Sequence, residues 1–142
     1  MPTAYDYRPI TPQECELVRR FLVENGWAHR VTDQERFAKM MHETSRSVAV
    51  WNDGVVVGFG RALCDGISNG YLSVVVVAKA AQGQGIGREI VRRLMGGNPD
   101  ITWVVRAGHG SERFWSKVGF TVSEVAMERT RNKSEEVNFT RC

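Results

Sequence analysis

The chain has 142 residues, 42% of them hydrophobic, and its 19 Lys and Arg against 16 Asp and Glu leave a formal net charge of +3. That length suits one domain with one core, and basic residues scattered among acids argue against a nucleic-acid partner. No apolar run approaches the ~20 residues of a membrane span, and the three cysteines, Cys15, Cys64 and Cys142, lie too far apart for a disulfide framework or a zinc motif, so free thiols and no metal are expected.

Met1 to Asp6 lacks the charged and apolar regions of a signal peptide, so a cytoplasmic protein is expected. Tyr5 to Ile10 reads as a short strand. Thr11-x-x-Glu14 is a capping box with Pro12 at the first helical position, and Leu17, Val18, Phe21 and Leu22 give a helical stripe to about Glu24. Asn25-Gly26 breaks that helix, and Trp27 to Val31 forms a connection. A second capping box, Thr32-x-x-Glu35, opens a helix through Phe37, Met40 and Met41 that ends near Thr44. Ser47 to Trp51 and Val55 to Leu63 are β-rich runs joined by Asn52-Asp53-Gly54, a strong hairpin signal. A turn from Asp65 to Gly70 follows.

Tyr71 to Val77 contains four consecutive valines, which cannot alternate between core and water, so this strand is expected to be central and covered on both faces. It leads through Gln82-Gly83-Gln84-Gly85-Ile86-Gly87 into a helix whose Ile86, Ile90, Val91 and Leu94 share one face. Gly96-Gly97-Asn98-Pro99 stops the helix, and Ile101 to Arg106 is the next strand. The two strands should be parallel neighbours joined by a right-handed crossover. Ala107 to Gly110 is a loop, Ser111 to Val118 a short helix closed by Gly119, and Phe120 to about Glu128 is extended. Residues 1–129 are expected to form the domain, with 130–142 a polar tail. Within that tail Val137-Asn138-Phe139 reads either as a closing strand or as part of a disordered end.

The glycine loop carries the chemistry. Helix first turns have N–H groups without intrahelical partners and a partial positive charge, and glycines remove the Cβ atoms that would hold an anion away. Gly83 to Arg88 is thus a phosphate cradle, with Arg88 beside it; Arg92 and Arg93 read either as further phosphate contacts or as a solvated face. A P-loop would need Lys-Ser or Lys-Thr where Arg88-Glu89 stands. A dinucleotide fingerprint would need glycine in place of Arg88.

Gln82, Gly85 and Gly87 fill the fixed places of (Q or R)-x-x-G-x-(G or A), Val77 lies five residues before Gln82, and Arg113 to Phe120 is similar to a later F-Y-x-x-x-G-F element. In these motifs and in its order of elements over residues 5 to 128, the chain resembles the GNAT superfamily of N-acetyltransferases. The resemblance implies an α/β fold of GNAT type: a mixed central sheet, splayed parallel strands, and helices on both faces. It implies direct transfer of an acetyl group from acetyl-CoA to a primary amine in a ternary complex. The cofactor contacts would be Val75, Val76 and Val77, whose backbone N–H groups include the family's oxyanion donors, and Gln82, Gly83, Gln84, Gly85, Ile86, Gly87 and Arg88. A homodimer is a further implication.

Side chains for proton transfer are less evident. The family's strand glutamate has no counterpart in Tyr71 to Val77, so deprotonation through water is expected, with His29, Asp33, His109 and Glu112 as candidates near the acceptor cleft. For each histidine a solvated or structurally hydrogen-bonded side chain is the favoured reading. Trp115 stands where the family's thiolate-protonating tyrosine is common, and Gly108 replaces an asparagine often found there. Trp27, Trp51 and Trp103 are core or cleft lining, and Met40-Met41 is packing. An acyl-CoA-binding regulatory module with weak or no transferase activity is the alternative that these departures allow.

Overall fold

The computed structural model describes residues 4–131. Within them β1 (Asp6–Arg8), β2 (Arg46–Asn52), β3 (Val55–Cys64), β4 (Asn69–Val77) and β5 (Thr102–Val105) lie side by side in chain order. Neighbours are antiparallel from β1 to β4, and β4 and β5 are parallel, as the intervening helix requires. The β2–β3 turn has Asp53 at φ 50° and Gly54 at φ 77°. Two successive positive φ values are what a two-residue hairpin demands.

Alternation along the strands feeds two cores. Ala49, Trp51, Phe59 and Val76 face α1 (Cys15–Leu22), α2 (Ala28–Val31) and α3 (Gln34–His42), packing on Val18, Phe21, Leu22, Val31 and Phe37. Val48, Val50, Ala62 and Leu72 face the other way, toward α4 (Ile86–Met95) and α5 (Glu112–Lys117). The stripe read from the sequence, Ile86, Ile90, Val91 and Leu94, is buried there. At ten residues α4 is shorter than the ~12–15 that an isolated helix needs, so it is this burial that holds it. Contact is close: a Cβ on Gly60 would stand 2.4 Å from Ile90 Cγ2 and 2.9 Å from Leu94 Cδ1.

Several boundaries differ from the sequence reading, each for a local reason. The connection from Trp27 to Val31 contains a helical turn, α2, which resumes after Asn25 (φ −114°) and Gly26 (φ 95°) break the preceding helix. Asp33 rather than Thr32 caps α3, its carboxylate accepting from Arg36 N at 3.0 Å. β4 begins at Asn69, two residues early, because the Asp65 carboxylate takes the N–H groups of Ile67, Ser68 and Asn69 and closes the turn. The extended segment expected from Phe120 to Glu128 forms no strand. Ser123 Oγ accepts from Val125 N at 3.1 Å and Ala126 N at 2.9 Å, which folds the chain, and Val122, Val125 and Met127 are left exposed. Val137-Asn138-Phe139 and Cys142 lie outside the described residues. Among those described, Cys15 and Cys64 are free, and no helix is long and apolar enough to cross a membrane.

Candidate active site

β4 outruns its parallel neighbour. Pairing with β5 extends from Asn69↔Thr102 to Leu72↔Val105, and β4 continues to Val77 with no partner on that side among the described residues. Separation begins at a bulge. On the β3 side the register passes from Arg61↔Val74 to Ala62↔Leu72, which leaves Ser73 as the extra residue. A bulge sharpens the local twist and bends its strand, so the upper half of β4 leaves the line of β5.

Which backbone groups face the resulting gap follows from one hydrogen bond. Ala78 N donates to Val57 O at 2.9 Å, across the β3 side. Successive N–H groups along a strand alternate sides, so Val76 N–H also faces β3, opposite Phe59, while the N–H groups of Val75 and Val77 face the gap. The Val77 carbonyl on that side accepts from Gln82 Nε2 at 3.2 Å. Of the three valines read from the sequence, two therefore offer donors to the gap and the middle one does not.

The gap ends at the N-terminus of α4. Gly83 and Gly85 have φ of 82° and 81°, a left-handed conformation that disfavours any side chain, and a Cβ on either would meet nothing within 4 Å. Glycine is thus required there by the backbone, and the approach is open. Gly85 is the cap residue, and no side chain caps the helix. The N–H groups of Ile86, Gly87 and Arg88 are left for an external anion. Gly87 serves differently, since its Cβ would lie 3.1 Å from Phe114 Cε1; its absence lets α5 pack on the first turn. Gln84 Oε1 accepts from the Tyr5 hydroxyl at 2.7 Å, and exposed Arg88 makes only a 3.5 Å contact to Lys117 O. Arg92 and Arg93 do not reach the cradle. They lie in the last turn and bind Glu89 at 2.5 and 2.7 Å. Hydrogen bonding from Arg92, aided by Arg93, holds the Glu89 carboxyl at about 2.

An open cleft of about 480 Å³ lies against the parted edge, lined by Asn25, Trp27, Val75, Val76, Val77, Lys79 and Gln82. Sequence reasoning gives Asn25 only the part of a helix breaker and gives Lys79 none. The candidate proton carriers are scattered. His29 is exposed on α2 with its ring stacked on Trp27, 6.4 Å between centroids, and Asp33 is committed to its cap. His109 is exposed beyond β5, and Glu112 is exposed in the first turn of α5. Trp115 is buried between Phe114 and Phe120, with edge-on ring contacts at 5.0 and 5.4 Å. None of these five side chains lines the cleft.

A mixed sheet whose parallel strands part beside an uncapped, glycine-led helix N-terminus defines an α/β protein of the acetyltransferase class. The acetyltransferase (GNAT) domain model matches residues 8–138, and the chain belongs to that family of acetyltransferases. Solved structures agree in fold. A GNAT family acetyltransferase from Streptococcus pneumoniae superposes with a TM-score of 0.74 at 17% identity, covering 94% of this chain and 100% of the other. An aminoglycoside N-acetyltransferase, AAC(6')-Iy, in complex with CoA gives 0.70 at 16% identity, with 93% and 98% covered. Ribosomal-protein-alanine N-acetyltransferase from Brucella melitensis gives 0.70 at 13%, with 90% and 99% covered. No curated protein matches the sequence.

Proposed function

We propose that this protein is an acetyl-CoA-dependent N-acetyltransferase that acts on a primary amine of a small molecule or protein within a ternary complex. The observation that carries the reading is the pair of gap-facing N–H groups on Val75 and Val77, beside the uncapped α4 N-terminus. Backbone N–H groups from Gly83 to Arg88 would hold the pyrophosphate, and the peptide-like arm of the co-substrate would pair with the free edge of β4, as an added strand does. Val75 N–H then donates to the thioester oxygen as it becomes an oxyanion.

In the reaction the neutral amine attacks the thioester carbonyl carbon, the C–N bond forms, and the C–S bond breaks with its electron pair leaving on sulfur. The amine's surplus proton passes to water, since β4 carries no carboxylate between Tyr71 and Val77. Thiols have pKa values near ~8.5, so the departing thiolate is tolerable at neutral pH and solvent can protonate it. We assign Trp115 to packing, because its indole sits inside an aromatic cluster.

The lack of that carboxylate also favours a second reading, an acyl-CoA-binding module with little turnover. Thiol release from acetyl-CoA across a panel of amines, beside calorimetric binding of CoA, separates the two. Turnover with at least one amine class supports the enzyme; tight CoA binding without turnover over the whole panel supports the module; no CoA binding overturns both.

A further inference from the structure

Six of the described arginines are paired with acids. Arg8 binds Asp6 and Glu14, Arg19 and Arg20 bind Glu16, Arg92 and Arg93 bind Glu89, and Arg106 binds Glu128. Arg46 donates instead to the carbonyls of Leu94 and Met95 at the end of α4. Arg61 differs from all of these. It is 7% exposed, the buried charged residue among those described, and no carboxylate lies within ion-pair distance of it in the described residues.

Arg61 stands on β3 on the face of Phe59, opposite to Gly60, and two hydroxyls fix its guanidinium. Nε donates to Thr44 Oγ1 at 2.9 Å and Nη1 donates to Ser73 Oγ at 2.7 Å. Thr44 passes its own hydrogen to Met40 O at 2.8 Å. A guanidinium has five N–H donors, so these bonds leave most of its donor capacity unspent. Among the described residues Nη2 has no hydrogen-bond partner, and Arg61 keeps 7% of its surface exposed. Burial pulls the guanidinium below its usual pKa, and the titratable neighbour that opposes this is Tyr71. A buried cation is costly unless an anion meets it, and among the described residues none does.

The position of this cation connects it to the site. Ser73 is the bulge residue at which β4 begins to part from β5, and it lies two residues, roughly 7 Å at a strand's rise, below Val75. Tyr71 pairs with Val104 across the two parallel strands, and Val104 is 43% exposed, so helices do not seal this end of the sheet face. Arg61 is the β3 partner of Val74 and its guanidinium is held on Ser73 Oγ, so this cation lies about two residues of strand, roughly 7 Å, from Val75.

We propose that Arg61, oriented by Ser73 and Thr44, receives a carboxylate of the acyl acceptor, so that the preferred acceptors are amino acids or aminoalkyl carboxylates with amine and carboxylate roughly 7 Å apart. The inference rests on the acetyl-transfer reading for the place of the amine. Its binding half stands independently of turnover. Arginine suits the role because its planar fork meets a carboxylate with two parallel hydrogen bonds.

The test uses matched acceptors, 5-aminopentanoate and 5-aminopentanamide, with the wild type, Arg61→Gln and Arg61→Lys. In the transfer assay the acid should exceed the amide by at least about tenfold in kcat/KM, or ~1.4 kcal/mol. Arg61→Gln should abolish the difference, Arg61→Lys should retain part of it, and all three proteins should bind CoA alike. Equal use of acid and amide by the wild type would overturn the proposal, as would a preference that survives Arg61→Gln. Calorimetric titration of the CoA-saturated wild type with each compound reads the site without chemistry. Tighter binding of the acid there, with no acetylation, would keep the Arg61 site and refute the transferase reading; equal binding would remove the site. If Arg61→Gln does not fold, Ser73→Ala takes its place, and KM for the acid should rise while KM for the amide stays constant. A parallel rise in both would mark the pair as a packing element only.

Discussion

Val75 and Val76 are adjacent, chemically identical, and differ in which way their N–H groups point. Replacing each by proline deletes the N–H and holds φ at about −65°, at the edge of the extended region, and the residue before it is already extended as proline prefers. At Val76 the change removes a ladder bond with β3 and leaves the buried Phe59 carbonyl without its donor, a loss of about 1–3 kcal/mol. At roughly 3 °C per kcal/mol for a chain of this size, the Tm should fall by about 3–9 °C. At Val75 no bond to β3 is lost, so Tm should change by no more than ~3 °C. What Val75→Pro loses is the donor in the gap, and deleting one oxyanion donor lowers kcat by about 10²–10³, or ~2.7–4 kcal/mol. Thermal melts, CoA calorimetry and thiol release on both variants make the comparison. Because the proline ring enters the gap, an ester at position 75, introduced as the hydroxy-acid analogue of valine, provides a second deletion without added bulk and should lower kcat alike. A Val75 ester enzyme with kcat within threefold of wild type and intact CoA affinity would remove this N–H from the mechanism. A Val75→Pro variant less stable than Val76→Pro would show that the N–H directions are reversed.

Gly85→Val must force a branched residue into φ 81°, at a cost of at least about 1–2 kcal/mol, and should weaken CoA binding tenfold or more; an unchanged Kd in a folded variant would remove the cradle from the account. Gly60→Ala pushes a methyl into Ile90 and should lower stability by roughly 1–3 kcal/mol in a denaturant melt while leaving CoA affinity intact, because the clash is on the far side of α4 from the cradle. Trp115→Phe should destabilise by roughly 0.5–3 kcal/mol yet keep kcat within about tenfold of wild type; a thousandfold loss at constant Tm would give the indole a chemical role. Glu89 titrates at about 2 in the folded protein against an ordinary 4.5. Its ion pairs therefore stabilise fully above pH 4.5 and are lost as pH falls toward 2, so the Tm difference between wild type and Glu89→Gln should shrink over that window, and a constant difference would contradict the pairing.

The parts of the fold legible in sequence are those where side-chain pattern and backbone demand coincide. Four valines in a row require cover on both faces, and β4 has α1 to α3 on one side and α4 on the other. Asn52-Asp53-Gly54 announces its turn because few residues accept positive φ. Where position along an element matters, composition leaves the choice open: Arg92 and Arg93 read as phosphate contacts or as a solvated face, and six or seven residues of helix place them about 10 Å from the glycine loop, within reach of Glu89. The missing last strand has the same character. Thr121 to Met127 has strand-forming residues, yet Ser123 offers its hydroxyl to two backbone N–H groups before any neighbouring strand can.

The site was legible only where glycine marked it. Ser73 makes the bulge that parts β4 from β5, but one inserted residue inside an apolar run leaves no trace in hydrophobic periodicity, because flanking residues are buried whichever side they face. Backbone N–H groups occur at every non-proline position, so sequence cannot say that Val75 offers a donor to the gap and Val76 does not; a hydrogen bond at Ala78 decides it. Arg61 is the converse case, a side chain whose chemistry is visible and whose burial is not. In Val55 to Cys64 a lone arginine after two glycines reads as the solvated position of an alternating strand. Its guanidinium is held by Thr44, just beyond α3, and by Ser73 at the bulge, two features from distant parts of the chain. The same extra residue thus frees the donor at Val75 from β5 and brings a hydroxyl onto Arg61, which ties the proposed reacting group to the proposed acceptor contact. Restoring regular pairing by deleting Ser73 should therefore impair both at once, lowering turnover and erasing the preference of acid over amide, whereas Ser73→Ala should touch the preference alone.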